Sequence, residues 1–191
     1  MMAPKFIWKE SKKEFDSLKG FSLMSYNILS PTSELIKSKI KKSWEERAEK
    51  IEHQVESFSP DILHLQECDQ LDYLSIFKPN LSKRGYGCSF HKKDSLKPDG
   101  CALFFKEERY SLISQERVSL NQVVTLPFIK ENQRMKKDNI SVISHLHDKI
   151  AQKSLISVNS HLYWNPEFGQ GFPPQKDPRK LLLTNFSGIL K

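Results

Sequence analysis

Several absences narrow the field before any motif is read. The 191 residues hold three cysteines, Cys68, Cys88 and Cys101, and no C-x-x-C pair. Zinc ribbons and thioredoxin-type redox chemistry both need such pairs. An odd, widely spaced set reads as reduced thiols packed in or near strands, as expected of an intracellular protein. Long apolar runs are also missing. The longest, such as KLLLTN, fall far short of the roughly 20 residues that span a bilayer, so no membrane partner is expected. The N-terminal stretch MMAPKFIWKESKKEF lacks the apolar core of a secretory signal. Its Glu10, Glu14 and Asp16 suit a mitochondrial presequence poorly. No internal repeat is visible.

What is present describes a globular domain. Hydrophobic residues make up 38% of the chain and charged residues 28%, which is enough apolar material for one core at this length. The net charge of +7 suits a polyanionic partner. Much of it lies in KSKIKK (37–42), KKDSLK (92–97) and KENQRMKK (130–137). Taken singly, each cluster reads first as a solvated helix face or loop.

The apolar pattern changes period along the chain. FSLMSYNIL (21–29) is apolar and aromatic on both faces, as a buried strand is, and Ser30-Pro31 stops it. Trp44, Ala48, Ile51, Val55 and Phe58 then recur at helical spacing, with Ser43 as N-cap, Glu46 as its capping-box partner and Pro60 as the stop. DILHLQE (61–67) follows as a second buried strand, giving a strand–helix–strand start. Leu71, Leu74, Ile76 and Phe77 mark a short helix before Pro79. YGCSF (86–90) is a strand, KKDSLKPDG a basic loop, and CALFFK (101–106) a strand expected to pair with YSLISQERVSL (110–120). The polar KENQRMKKD precedes two more strands, NISVISHL (139–146) and LISVNSHLYW (155–164). GQGFPPQKDP (169–178) reads as loop and RKLLLTNFSGIL (179–190) as a final helix. The expected class is α/β in layers.

Three polar residues close apolar strands: Asn27, Glu67 and His161. Rigid strand ends hold donors and acceptors without reorganisation during reaction. A Glu supplies a hard anionic oxygen and an Asn a neutral one, a pair suited to magnesium. A His donates to phosphate or works as acid or base. Each has a plainer reading alone: a turn-forming Asn, a solvated Glu, a core His with its ring satisfied. His145 and His147 share a strand face but have no evident third ligand, and read as hairpin surface.

Taken in order, MSYNIL, LQECD, KPDGCALFFK and NSHLYWNPEFG resemble the endonuclease/exonuclease/phosphatase superfamily, with its DNase I-like fold. GYGCSF, YSLIS and KKDNISV fall between them in the same order. The resemblance is closer to the carbon catabolite repressor-type deadenylases and their relatives Angel, nocturnin and 2′-phosphodiesterase. It runs from Phe21 to about Lys191, leaving 1–20 as an N-terminal extension and 21–191 as a partial domain. The fold implied is the N-terminal half of a two-sheet β-sandwich flanked by helices. The resemblance makes Glu67 and Asn27 the magnesium site and His161 the contact to the scissile phosphate. It places Asn159 on the same strand face as His161, orienting it, and Asp99-Gly100 in a structural turn near the site.

The activity so implied is magnesium-dependent 3′–5′ exoribonuclease action on single-stranded RNA, poly(A) first, in the cytoplasm rather than the nucleus. Two alternatives are an inactive RNA-binding or scaffold remnant of the fold and a phosphodiesterase or phosphatase acting on a small phosphate ester. The family's water-positioning D-x-N segment and terminal D-H pair do not follow His161, and GQGFPPQKDPRK is longer than the usual connection. The chain by itself is therefore expected to degrade poly(A) poorly. With no leucine-rich repeats ahead of Phe21, docking through such repeats is not expected.

Overall fold

Parallel neighbouring strands need a long crossover between them, and the first third of the chain supplies one. In the computed structural model, which describes residues 20–32, 43–93, 96–124 and 138–162, β1 (Leu23–Asn27) lies parallel to β2 (Ile62–Asp69), and α1 (Trp44–Phe58) connects them. The Ser43 hydroxyl accepts the Glu46 N–H at 3.2 Å. At the other end Ser59 adopts a left-handed φ of 40° and its N–H bonds to Val55 O, just ahead of Pro60. Ala48, Ile51 and Val55 are the buried stripe. Phe58, expected on the same face, is half exposed and lines a surface groove with Leu23 and Tyr26 instead.

The first sheet has the order β1-β2-β4-β3, with β3 spanning Tyr86–Lys92 and β4 Asp99–Lys106. Among the described residues β1 is its edge and is not buried on both faces as expected. Its residues alternate between exposed and half-buried, because among the described residues only β2 adjoins it. Between β2 and β3, α2 (Gln70–Asp72) runs through a π-helical turn (Tyr73–Phe77) into α3 (Lys78–Ser82). Pro79 therefore does not end this helix. The turn widens so that Lys78 N–H bonds to Tyr73 O, and Pro79 falls in the first turn of α3, where its missing N–H is not needed.

Asp99 and Gly100 open β4 rather than forming a turn. A Cβ at Gly100 would stand 2.2 Å from His91 O, so only glycine permits the β3–β4 approach. The segment 110–120 also departs from expectation. β5 (Tyr110–Ser119) pairs with β6 (Ile140–Asp148), not with β4, and β6 pairs with β7 (Lys153–Ser160) in a second, antiparallel sheet of order β5-β6-β7. Alternation marks a half-buried strand but carries no information about its partner. The chain changes sheets at buried Arg109, which bonds Asp148 at 2.9 Å and lies 3.6 Å from Asp61. A short α4 (Asn121–Val124) follows β5.

One apolar core lies between the helices and the first sheet, built on Ile51, Val55, Leu63, Leu65, Phe77 and Phe104. A second includes Ile62 and Leu103 of the first sheet and Leu146 of the second, and a third joins Cys101 to Ile140 and Val142. The layer between the sheets is partly polar. Asn159 of β7 donates to Leu65 O (3.1 Å) and Ala102 O (2.9 Å) and accepts from Gln66 Nε2 (2.8 Å). Ser157 and His64 Nε2 are 2.9 Å apart, and Gln115 of β5 donates to Ser89 of β3 at 2.7 Å. All three cysteines are free thiols in strands, with Cys68 and Cys101 buried. The expected N-terminal extension up to residue 19, the polar segment 130–137, the loop 169–178 and the final helix 179–190 lie outside the described residues.

Two stability measurements follow. Asn159→Ala removes the donor to two buried carbonyls and one of the two acceptors of the Gln66 amide, whose other bond runs to Ser25 Oγ at 3.1 Å, and is expected to cost about 3 kcal/mol in urea unfolding. Burial lowers the His64 pKa from 6.5 to about 4. The fold thus keeps His64 neutral, while the unfolded chain takes up a proton below about pH 6.5. Stability is full above that pH and falls until about pH 4. Wild type should lose on the order of 2 kcal/mol from this group between pH 7 and pH 5, a loss that His64→Gln removes.

Candidate functional site

Along β2, Ile62, His64 and Gln66 point toward the second sheet, while Leu63 and Leu65 point toward the helices. Strict alternation would place Glu67 next to Leu63 and Leu65 in the apolar layer. A β-bulge prevents this. Pairing with β4 slips between Gln66 and Cys68, so that Gln66 opposes Cys101 and Cys68 opposes Gly100. Glu67 is the extra residue, at φ 53°, and Cys68 takes the core position in its place. A left-handed backbone at a residue with a Cβ costs on the order of 1 kcal/mol or more, and persists where its surroundings over-determine it.

Two further strand ends converge on this carboxylate. Asn27, in register with Gln66, donates from Nδ2 to Glu67 Oε1 at 2.8 Å. Its Oδ1 accepts the Leu29 N–H at 3.0 Å, and that donor sets which way the amide faces. His161 stands one residue beyond β7, where its N–H continues the ladder to Ile140 O at 3.1 Å. Its Nε2 lies 3.4 Å from Glu67 Oε1, and both side chains are mostly buried, at 15% and 18% exposure. Nδ1 of His161 is buried and has no hydrogen-bond partner among the described residues. Both contacts to Glu67 fall on Oε1, and Oε2 accepts no hydrogen bond among the described residues.

Burial alone would raise the Glu67 pKa. The hydrogen bonds from His161 and Asn27, with the positive charges of His161 and Lys93, outweigh it and bring the carboxyl down to about 2. The group is thus an anion at physiological pH, held by donors on one oxygen. Lys93 also forms a short ion pair with buried Asp99.

The structure therefore brings Asn27, Glu67 and His161 together. Asn159 does not reach His161 as expected. Its side chain turns inward at 2% exposure, and its three hydrogen bonds run to Leu65, Gln66 and Ala102. It braces the strand that carries Glu67. Arg47, Gln66 and Lys93 are neighbours that the sequence does not single out. Gln66 stands beside Glu67 in LQECD but carries no signal beyond position, and the other two read as solvated cations.

Among the described residues no group of three His, Cys, Asp or Glu side chains is placed to hold a metal ion. One carboxylate with an open oxygen still fits magnesium, which keeps several of its own waters and takes only one or two protein carboxylates.

Two face-to-face sheets with helices outside, and a polar site at the strand ends, define the DNase I-like α/β sandwich. No family model matches the chain, but individual proteins do. The Ccr4 exoribonuclease subunit of the CCR4-Not complex from Kluyveromyces lactis is 31% identical over 171 residues, covering 78% of this chain and 21% of that protein. Protein angel homolog 2 from Danio rerio is 34% identical over 177 residues, covering 87% of this chain and 29% of that protein. The crystal structure of ANGEL2, a 2′,3′-cyclic phosphatase, superposes with a TM-score of 0.64 at 31% identity over 77% of this chain and 42% of its own. The human Nocturnin catalytic domain with bound sulfate superposes at 0.61 with 27% identity, over 78% and 51%. The chain belongs to the endonuclease/exonuclease/phosphatase superfamily, in the branch of Ccr4, Angel and nocturnin. It spans about half or less of the length of these relatives.

The bulge makes a specific prediction. Glu67→Ala and Glu67→Gly both remove the carboxylate, but only glycine is free of the left-handed penalty. Glu67→Gly should be the more stable by about 1 kcal/mol in urea unfolding, the reverse of the order in a regular strand.

Proposed function

We propose that Glu67, Asn27 and His161 form one wall of the catalytic site of a magnesium-dependent 3′–5′ exoribonuclease of the deadenylase type. The observation that carries this is the Glu67 carboxylate itself: set on a left-handed bulge, bonded on Oε1 by Asn27 at 2.8 Å and approached there by His161 Nε2 at 3.4 Å. Residues held in sparsely populated backbone regions cluster at active sites, where their surroundings over-determine them. Glu67 Oε2 would hold the metal, which when bound neutralises charge on a phosphate oxygen and on the leaving oxygen.

The chain's own residues do the rest. Asn27, whose Oδ1 is taken by Leu29 N–H, orients Glu67 and so acts on the metal through it. His161 places Nε2 at the rim, where it donates to a phosphate oxygen and adds positive charge beside it when protonated. Asn159 keeps the end of β2 fixed against the second sheet. The +7 charge supports a nucleic-acid substrate, because phosphate contacts from Lys and Arg dominate such affinity. The similarity to Ccr4 subunits supports RNA and 3′–5′ polarity. The similarity to ANGEL2 supports a second reading, a 2′,3′-cyclic phosphate as the group attacked.

The test uses the full-length protein, magnesium and two 5′-labelled oligoribonucleotides. One ends in poly(A) with a 3′-hydroxyl and the other in a 2′,3′-cyclic phosphate. The expected result is stepwise shortening of the first, dependent on magnesium and about a hundredfold or more slower in Glu67→Gln. Opening of the cyclic phosphate without shortening would replace the exonuclease reading with the second one. Shortening by Glu67→Gln at the wild-type rate would remove Glu67 from the site.

A further inference from the structure

Arg47 lies in the first turns of α1, and its hydrogen bonds go to backbone rather than to a carboxylate. Its guanidinium stands 5.1 Å from the centre of the Trp44 ring, and that ring is fixed by a bond from Nε1 to Asp72 Oδ1 at 2.9 Å. Arg47 Nη2 donates to two consecutive carbonyls, Ile28 O at 2.5 Å and Leu29 O at 2.7 Å. Nη1 is buried with no partner among the described residues. The hydrogen bonding of the guanidinium is therefore concentrated on one short piece of backbone. That piece is unusual. Leu29 is left-handed at φ 55°, and its N–H is the donor that sets the Asn27 amide, whose other end bonds Glu67. Ile28 N–H meanwhile bonds to Gln66 O at 3.0 Å, so the segment is locked to β2 immediately before Glu67.

We infer that Arg47 is a positioning residue for Glu67, acting through the left-handed Leu29 turn and the Asn27 amide. Leucine gains nothing from a left-handed backbone. Two aligned carbonyls held by one planar, aromatic-stacked guanidinium supply the restraint that keeps it there. Released, Leu29 N–H would leave Asn27 Oδ1, the amide would be free to turn, and Glu67 would lose a donor on Oε1. The inference rests on the reading of Glu67 as the metal-holding carboxylate, and it predicts that a helix residue with no hydrogen bond to that carboxylate tunes the site.

The experiment compares Arg47→Met, Arg47→Lys and Asn27→Ala, singly and with Asn27→Ala combined with each Arg47 variant, in the full-length protein. Magnesium affinity is read by calorimetry, the Asn27 side-chain amide by ¹⁵N NMR, and folding by Tm. Arg47→Met should weaken magnesium binding about tenfold and shift the Asn27 amide resonances. Arg47→Lys, a single-point donor, should stay folded and recover only part of both. On the Asn27→Ala background, Arg47→Met should add no more than about twofold, because the path already ends there. A change in Tm with unmoved Asn27 resonances and unchanged magnesium affinity would overturn the inference, as would multiplying effects in the double variant. If Glu67→Gln leaves magnesium affinity intact, the metal reading fails, while the Asn27 resonances still decide whether Arg47 positions that amide.

Discussion

The pairing of β2 with β4 cannot continue in register past Gln66, because the next helix-facing position would bury the Glu67 carboxylate among Leu63, Leu65 and Phe104. Burying an unpaired carboxylate is too costly for the fold to absorb. A single bulged residue resolves the conflict. It moves Cys68 into the core, brings Gly100 opposite Cys68, and leaves Glu67 at the rim. Gly100 has no Cβ to obstruct His91 O, so β3 and β4 stay close where the strand is disturbed. The site geometry is thus a consequence of reconciling one charge with one core.

The sheets are joined by polar contacts as well as by apolar packing. At the site end, Asn159 satisfies two carbonyls of the first sheet and the Gln66 amide. At the other end, Arg109 links Asp148 of the second sheet to Asp61 of the first. Buried polar groups stabilise little by themselves, but they penalise any arrangement that leaves them unpaired. A shift of one sheet over the other would break both ends together. That restraint holds His161, carried by the second sheet, within reach of Glu67, carried by the first.

Rigidity at the rim suits the function proposed for it. A carboxylate already ionised and hydrogen-bonded on one oxygen needs no rearrangement to receive a cation. The supporting groups come from three strand ends and, through Leu29, from the first turns of α1. The fold itself does not choose a substrate, since one sandwich serves several chemistries through the loops around its rim. The affinity for phosphate-rich ligands that the charge suggests and the chemistry proposed at Glu67 are therefore separate proposals.

Much of this architecture is legible in the amino-acid sequence. The strand–helix–strand start, the Ser43 cap, the buried stripe Ala48, Ile51 and Val55, and the candidate trio Asn27, Glu67 and His161 follow from local periodicity, capping chemistry and ordered motifs. These are decided within a few residues of chain, where the sequence itself is the environment. Partnership is not legible in the same way. Periodicity sets 110–120 beside β4, although it begins the second sheet, and makes β1 a buried strand, although among the described residues it is an edge. Proximity along the strand assigns Asn159 to His161, although its bonds cross to Leu65, Gln66 and Ala102. The bulge at Glu67 and the reach of Arg47 to Leu29 leave no mark on the local pattern. By itself the sequence determined which segments form strands and helices and which polar residues end them. Only the tertiary structure decided which strands meet and which side chains hold others in place, because these contacts join residues far apart along the chain.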